Sequence, residues 1–218
     1  MAKVFTDQGN VEIPTWVVDL RTFRRWVTSD EFPDDGRVGF IAGEVWADMS
    51  KQQAFSHVRV KDVVGRVVGG LVARESLGEY FGDGLRITNE DAGISNVPDG
   101  TFISAESFTN RTVKWVNGGF TELEGSPDLI IEVVSDSSED KDTEWLMRAY
   151  WDAGVREYWL IDARNQPLRF EIYKAAAKGF TATRKSAGWV KSALLERSFR
   201  LRQTKNALGH PDFQLDLR

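Results

Sequence analysis

The segment 127–136, PDLIIEVVSD, constrains the fold of this chain more than any other. It is a continuous apolar run that begins after a proline and ends at a Ser-Asp pair, the pattern of a strand buried on both faces. A helical pattern follows over 139–153, with Gly154 as its C-cap, and then a second apolar strand at 156–162. A strand–helix–strand unit joins parallel strands through a right-handed crossover, so the segment predicts a parallel pair inside an α/β fold.

The remaining patterns extend this pair into a mixed β-sheet flanked by α-helices, with additional antiparallel strands after it. We find no internal repeat and no linker, so we expect one domain over 1–218 with its core at about 38–175. Helices are predicted at 18–29 and 54–75, a strand or hairpin at 38–48, and further strands at 79–88, 97–104, 169–175, 179–184 and 189–194.

Composition limits the kind of metal site that the chain can build. There is no cysteine, and His57 and His210 are the two histidines. Cysteine-ligated and multi-histidine sites are therefore excluded, and any metal would be held mainly by oxygen, which favours Mg²⁺, Mn²⁺ or Ca²⁺. The first residues lack the apolar run of a signal peptide, so we expect a cytoplasmic protein.

Charge is distributed unevenly along the chain, although the net charge is −5. Residues 164–205 contain eleven Lys or Arg and two acids, whereas residues 122–144 contain nine acids and one lysine. A basic segment beside an acidic one suits a phosphate-binding rim around a metal site. A solvated face of β-hairpins explains the same charges equally well.

Carboxylates within two apolar strands carry the chemical signal. Glu132 lies in the middle of its strand, where an ionised carboxylate costs several kcal/mol unless it is paired or metal-bound. The two-residue period places Asp128, Ile130, Glu132 and Val134 on one face of that strand. Asp99 opens another apolar strand in the same way. Side by side in one sheet, Asp99 and Glu132 could share a divalent cation that polarises a phosphodiester.

Structural roles for these acids remain open at this point. Glu132 could be the buried partner of an arginine or of a backbone amide. Asp99 alone fits a turn residue at the start of a strand, and Asp128 fits a turn after Pro127.

Several blocks of the sequence resemble the Uma-type family of putative restriction endonucleases, a branch of the PD-(D/E)xK nuclease superfamily. The resemblance covers roughly residues 38–175 and rests on these motifs: PDLIIEV, AGVREYWLID, Pro98-Asp99, Gly43-Glu44, Met49-Ser50 and His57. It implies a restriction-endonuclease-like fold with Mg²⁺ or Mn²⁺ as cofactor and DNA as substrate. It also implies a homodimer in which both strands are cut.

The resemblance also implies roles for individual residues. Asp99, Glu132 and the backbone carbonyl of Val133 would bind the metal. Glu44 would complete the metal shell, and His57 would position a water, a phosphate or Glu44. A histidine at a helix start can equally be a cap or a packing residue.

The catalytic lysine of the superfamily is displaced in this chain. Its usual position two residues after Glu132 is Val134, and the family's alternative position on the following helix is Leu146. Lys141 is the nearest candidate, and its long side chain could reach the site from the helix N-terminus. Alternatively, Lys141 is a solvent-facing member of a charged run.

Three hypotheses follow from the sequence. The first is a metal-dependent endonuclease in which Lys141 orients or deprotonates the attacking water. The second is a catalytically degenerate nuclease fold that binds nucleic acid or a partner without cutting. The third is a structural or regulatory module whose buried polar groups only stabilise its core.

Overall fold

Strand β10 (Leu129–Val133) lies inside a mixed six-stranded sheet in the computed structural model, as the sequence predicts. It pairs in parallel with β11 (Glu157–Asp162) and antiparallel with β7 (Gly100–Ser104). The full order of this sheet is β13 (Gly179–Ala182), β12 (Arg169–Ala176), β11, β10, β7 and β4 (Gly78–Phe81). The structure describes residues 3–5, 11–34, 37–48, 51–116, 120–136 and 138–218, so the Met49-Ser50 motif lies outside the described residues.

The predicted crossover helix joins the two parallel strands. It begins as a π-helical turn, Lys141–Trp145, and continues as α4 (Leu146–Asp152). Gly154 follows with a φ of +86°, a left-handed conformation that glycine adopts without steric cost. The strand–helix–strand prediction is therefore confirmed, with a shorter α-helix than the pattern indicates.

The two faces of β10 pack into different apolar cores, as its two-residue period predicts. Leu129, Ile131 and Val133 join a cluster formed with the long second helix and the C-terminal strands. Ile130 and Val134 join a second cluster formed with α4 and the N-terminal sheet. Each fully buried aliphatic side chain contributes about 1.5–3 kcal/mol, so this strand is anchored from both sides.

The first core lies beneath a long helix and a separate C-terminal sheet. A π-helical turn, Ala54–Val58, leads into α2 (Arg59–Glu75), which presents five buried valines and Leu71 to the central sheet. The antiparallel C-terminal sheet has the order β14 (Lys185–Ser186), β15 (Trp189–Ser192), β16 (Arg197–Lys205) and β17 (Pro211–Leu217).

Strands from residues 3–125 form a third sheet, against which α1 (Leu20–Val27) packs through Phe23 and Trp26. Asp19 caps α1 by accepting a hydrogen bond from the backbone N–H of Thr22 at 2.8 Å. The sheet order is β1 (Lys3–Phe5), β3 (Glu44–Asp48), β2 (Arg37–Ile41), β6 (Ile94–Asn96), β5 (Arg86–Asn89), β9 (Glu122–Gly125) and β8 (Val113–Trp115).

Some predicted boundaries are wrong because turn residues divide the strands. The predicted strand 79–88 is β4 and β5, which belong to different sheets and are separated by a turn in which Gly84 has a φ of +105°. The predicted strand 97–104 is β7 alone, since Pro98 lacks the N–H that a sheet ladder needs. The sequence did not predict the short helix α3 (Ala105–Thr109) or the strands β1, β6, β8, β9, β14, β16 and β17.

Candidate active site

Asp99 and Glu132 lie opposite each other on neighbouring segments of the central sheet. The antiparallel register pairs Leu129 with Phe102 and Ile131 with Gly100, and one further step brings Glu132 opposite Asp99. The backbone N–H of Asp99 donates to Oε2 of Glu132 at 3.3 Å, and both side chains are buried. The two acids that the sequence predicts as metal ligands therefore meet on one face of the sheet.

Asp99 is surrounded by donors and cations. Its Oδ2 accepts a 2.8 Å hydrogen bond from the backbone N–H of Val133 and lies 3.4 Å from Nε2 of His57. Its Oδ1 lies 2.9 Å from Nη2 of Arg37 and 3.5 Å from Nζ of Lys61. Burial alone would raise the pKa of Asp99, but the contact with His57 and the two cations outweigh it and hold the pKa below its usual range.

Glu132 has the opposite electrostatic environment. Its Oε1 accepts a long hydrogen bond of 3.3 Å from the hydroxyl of Tyr150, which in turn accepts one from Asn96 at 3.0 Å. Burial, and then the negative charges of Asp99 and Asp142, raise the pKa of Glu132 well above its usual value. A cation bound here would relieve that repulsion and lower the pKa again.

The backbone of Val133 faces the same site. An extended residue directs its N–H and C=O to the same side of the strand. Because the N–H of Val133 donates to Asp99, the carbonyl of Val133 also lies on the Asp99 side. The geometry therefore suits the metal-ligand role that the family resemblance implies for this carbonyl.

Lys141 lies inside the protein beside Asp142 and does not extend into solvent. Its side chain is 12% exposed, and its Nζ lies 3.6 Å from Oδ1 of Asp142. Burial lowers the pKa of Lys141, but the charges of Asp142 and Glu132 outweigh it, so the pKa is raised and the amine stays protonated. Burial also raises the pKa of Asp142 to about 6. The interpretation of Lys141 as a solvated surface charge is therefore wrong.

Glu44 lies at the turn end of the β2–β3 hairpin. In the β2–β3 hairpin it pairs with Ile41 beside the turn, whereas Asp48 at the other end pairs with Arg37. Glu44 and Asp48 are four positions apart along the strand, or about 13 Å at roughly 3.3 Å per residue. Asp48 is half-buried and lines a small cavity together with Arg37 and Lys141, so it is the hairpin acid nearest the site.

The two positions where the family usually has its lysine are occupied by apolar side chains in an apolar environment. Val134 and Leu146 are fully buried in the cluster between α4 and the central sheet. Neither position supplies a charge, and the cations that lower the pKa of Glu132 are Lys141 from the π-helical turn and Arg37 from β2.

The basic segment 164–205 forms the hairpin strands β12 to β16. Several of its cations are already paired with acids: Arg164 with Glu139, Lys185 with Glu171, Arg197 with Glu75, and Arg200 with Asp216. These pairs lower the positive charge that the segment offers to a nucleic acid.

These residues could bind a metal ion, although they do not supply a complete set of ligands. Among the described residues, no three acid or histidine side chains are grouped closely enough to hold a metal by themselves. However, Oδ1 of Asp99 is buried and accepts no aligned hydrogen bond in the described part of the chain. Mg²⁺ commonly binds through one or two carboxylates and completes its shell with waters and substrate phosphates. The Asp99–Glu132 pair meets that requirement.

One known family matches most of this chain. The family model Uma2, described as "Putative restriction endonuclease", matches residues 20–198, which is well over half of the 218 residues. The chain belongs to this family. The Uma2 match extends beyond the roughly 38–175 that the sequence motifs indicate, and it includes Asp99, Glu132 and Lys141.

Comparison with a solved structure supports the fold of this Uma2 member. A crystal structure described as a putative nuclease belonging to DUF820, from Anabaena variabilis ATCC 29413, is similar with a TM-score of 0.62. The two chains are 20% identical, and the match covers 82% of this chain and 91% of that chain. At this identity the likeness shows the fold, and it confirms the predicted α/β class. Among curated proteins none matches, and no helix in the described residues is long and apolar enough to span a membrane.

Three charged residues of the site escaped the sequence analysis. Arg37 and Lys61 contact Asp99 from a strand and a helix far away in sequence, and no local pattern marks them. Asp142 belongs to an acidic run that suggests a solvated helix face, yet it is buried. A helical wheel offers one signal, since Asp142 precedes Leu146 by four residues and shares its buried face.

Proposed function

We propose that the chain is a Mg²⁺- or Mn²⁺-dependent nuclease that hydrolyses phosphodiester bonds of DNA. One observation carries the proposal: two buried carboxylates lie opposite each other in register, and burial together with the charge of Asp99 raises the pKa of Glu132. Membership of the Uma2 family supports a nucleic-acid substrate. Perturbed buried acids of this kind are concentrated at functional sites.

Asp99 and Glu132 would hold the ion, with the carbonyl of Val133 on the same side. When bound, the ion would polarise the phosphate and lower the pKa of a water. His57 contacts Asp99 at 3.4 Å and is itself fully buried, so we assign it a positioning role toward that carboxylate.

Lys141 would act as a positioned ammonium group. Because its pKa is raised, it remains protonated at neutral pH and cannot accept a proton from water. Its charge can instead orient an attacking water or stabilise the negative charge that develops on the phosphate oxygens. This assignment selects the orienting role over the deprotonating one.

A second candidate function is DNA binding without cleavage. It is favoured by the apolar Val134 and Leu146 at the usual lysine positions, and by the two cations that already contact Asp99. In that case the charges around Asp99 would be internally compensated and would hold no metal.

Plasmid cleavage separates the two candidates. We expect the purified protein to nick supercoiled plasmid in Mg²⁺ or Mn²⁺, and to leave it intact in EDTA. The Asp99→Asn and Glu132→Gln variants should be inactive under the same conditions. Binding of DNA by the parent without any cleavage in either metal would replace the nuclease proposal with the binding one. The predicted homodimer is tested separately by light scattering of the protein in solution.

A further inference from the structure

We infer that Arg37 and Lys61 form a binding site for one DNA phosphate beside Asp99, and that the carboxylate of Asp83 occupies this site when DNA is absent. The inference rests on the proposed function for the class of ligand, since it takes DNA as the substrate. It adds a subsite and a competing side chain, neither of which the metal site requires.

The geometry consists of two cations held between two carboxylates. Nη2 of Arg37 lies 2.9 Å from Oδ1 of Asp99 and donates to Oδ2 of Asp83 at 3.1 Å. Nζ of Lys61 lies 3.5 Å from the same Asp99 oxygen and donates to the same Asp83 oxygen at 2.6 Å. Both cations therefore bridge one oxygen of each acid.

The two carboxylates differ in how firmly they are held. The side chain of Asp99 is 2% exposed and is fixed by the N–H of Val133. The side chain of Asp83 is 40% exposed and projects from the turn between β4 and β5, next to Gly84 with its positive φ. Asp83 can turn out into water without uncovering the core, whereas Asp99 cannot. Asp83 is therefore the exchangeable partner.

Charge and shape fit a phosphodiester in place of Asp83. With Asp83 displaced, the two cations and Asp99 leave one positive charge, which matches the single negative charge of a DNA phosphate. The guanidinium of Arg37 suits paired phosphate oxygens, and the ammonium of Lys61 acts as a point charge. A phosphate bound there would lie next to Asp99, where the proposed cleavage requires it.

The test is DNA binding in EDTA, where no metal-dependent cleavage can occur. Fluorescence anisotropy of a short labelled DNA duplex would be measured with the parent, Asp83→Asn, Lys61→Gln and Glu79→Gln. Glu79→Gln is the matched control, because it removes one negative charge from the neighbouring strand β4, where Glu79 is exposed. Thermal unfolding would verify that each variant is folded.

We expect Asp83→Asn to bind about threefold to fivefold more tightly than the parent, the fold-change that corresponds to loss of one exposed ion pair. Its log–log salt slope should be steeper by about 0.9, since one more uncompensated cation meets the duplex. Lys61→Gln should bind more weakly with a flatter slope, and Glu79→Gln should resemble the parent.

Equal affinity and equal salt slope for Asp83→Asn and the parent would overturn the inference, as would an equal gain in Glu79→Gln. Absence of duplex binding by every protein would overturn it too. Tighter binding by Asp83→Asn with no cleavage by the parent in Mg²⁺ would uphold the phosphate site and reject the nuclease. Metal-dependent cleavage by the parent, with no effect of Asp83→Asn on DNA binding, would uphold the nuclease and reject the phosphate site.

Discussion

The two ends of strand β10 each present a buried carboxylate on the same face, but in opposite electrostatic states. Asp128 at the N-terminal end accepts hydrogen bonds from the N–H of Ser104 at 2.8 Å, from Ser107 Oγ at 2.7 Å and from Arg156 Nη1 at 2.9 Å. These bonds outweigh its burial and lower the pKa of Asp128. Glu132, four residues later, has two bonds of 3.3 Å and a raised pKa.

This difference separates an acid that the fold stabilises from the acid that is proposed to bind the metal. Asp128 receives all of its stabilisation from the fold, so its charge ties the start of β10 to α3 and to β11. Burying ionised Glu132 costs free energy that its two long hydrogen bonds do not offset, so an added cation would stabilise it. Cavity size does not make this distinction, since a cavity of about 560 Å³ lies beside Asp128.

The largest expected effect is that of Glu132→Gln on cleavage. Loss of a metal-ligand charge should lower metal-dependent plasmid nicking by about 100-fold or more, because a bound ion contributes several kcal/mol to the transition state. Stability should stay equal or rise at neutral pH. The pKa of Glu132 is higher in the folded state than in the unfolded state. Its contribution to folding stability is therefore fully present below about pH 4.5 and is lost as the pH rises through the folded-state pKa. Urea unfolding at pH 7 measures this, and a marked loss of stability would contradict the comparison.

Lys141→Ala should follow with a loss of cleavage of about 100-fold, a typical contribution from a group that assists proton transfer or orients water. Its Mn²⁺ affinity should stay close to that of the parent, because Lys141 is not a metal ligand. Lys178→Ala, which removes an exposed lysine from the basic hairpins, is the matched control. Parental cleavage by Lys141→Ala would show that another residue orients the water.

Asp128→Asn should affect stability rather than chemistry. We expect a loss of about 1.5–3 kcal/mol at pH 7, the usual range for hydrogen bonds to a charged group, with parental cleavage per folded molecule. The folded-state pKa of Asp128 is depressed, so its stabilisation is present above about 3.8 and is lost as the pH falls through the folded pKa. The stability difference between parent and variant should therefore shrink in acid. A constant difference down to low pH would refute the ionic contribution of Asp128.

The smallest effect is expected for Glu44→Gln. Glu44 pairs with Ile41 at the turn end of its hairpin, at the opposite end from the Arg37–Asp48 pair, so we expect its removal to leave the metal-binding groups in place. Plasmid nicking should equal that of the parent. A large loss of cleavage would restore Glu44 to the metal shell that the family resemblance implies.

Local patterns predicted the part of the fold that surrounds β10. The continuous apolar run, its two-residue period and the helix after it are visible over a few residues, and they gave the parallel pair and both cores correctly. They identified Asp99 and Glu132 as strand acids, but the expectation that the two acids meet rested on the family resemblance, and the structure gives the register that brings them together.

The rest of the site depends on packing between distant elements. Arg37 and Lys61 contact Asp99 although more than 35 residues separate them from it in sequence. Local propensity and residue spacing do not predict such contacts. Similarly, the assignment of β4 and β5 to different sheets is decided by a glycine turn and by the partners on either side. Sequence periodicity gives the faces of a strand but not the sheet that it joins.

Calorimetric titration of Mn²⁺ into the parent, Glu132→Gln and Asp128→Asn tests the central claim most directly. It measures metal binding itself and not the cleavage that depends on it. The account predicts that the parent and Asp128→Asn bind Mn²⁺ with similar affinity, and that Glu132→Gln binds it at least about tenfold more weakly, a loss of about 1.4 kcal/mol. Equal Mn²⁺ affinity in all three proteins, or a loss confined to Asp128→Asn, would contradict the assignment of the metal to the Glu132 end of β10.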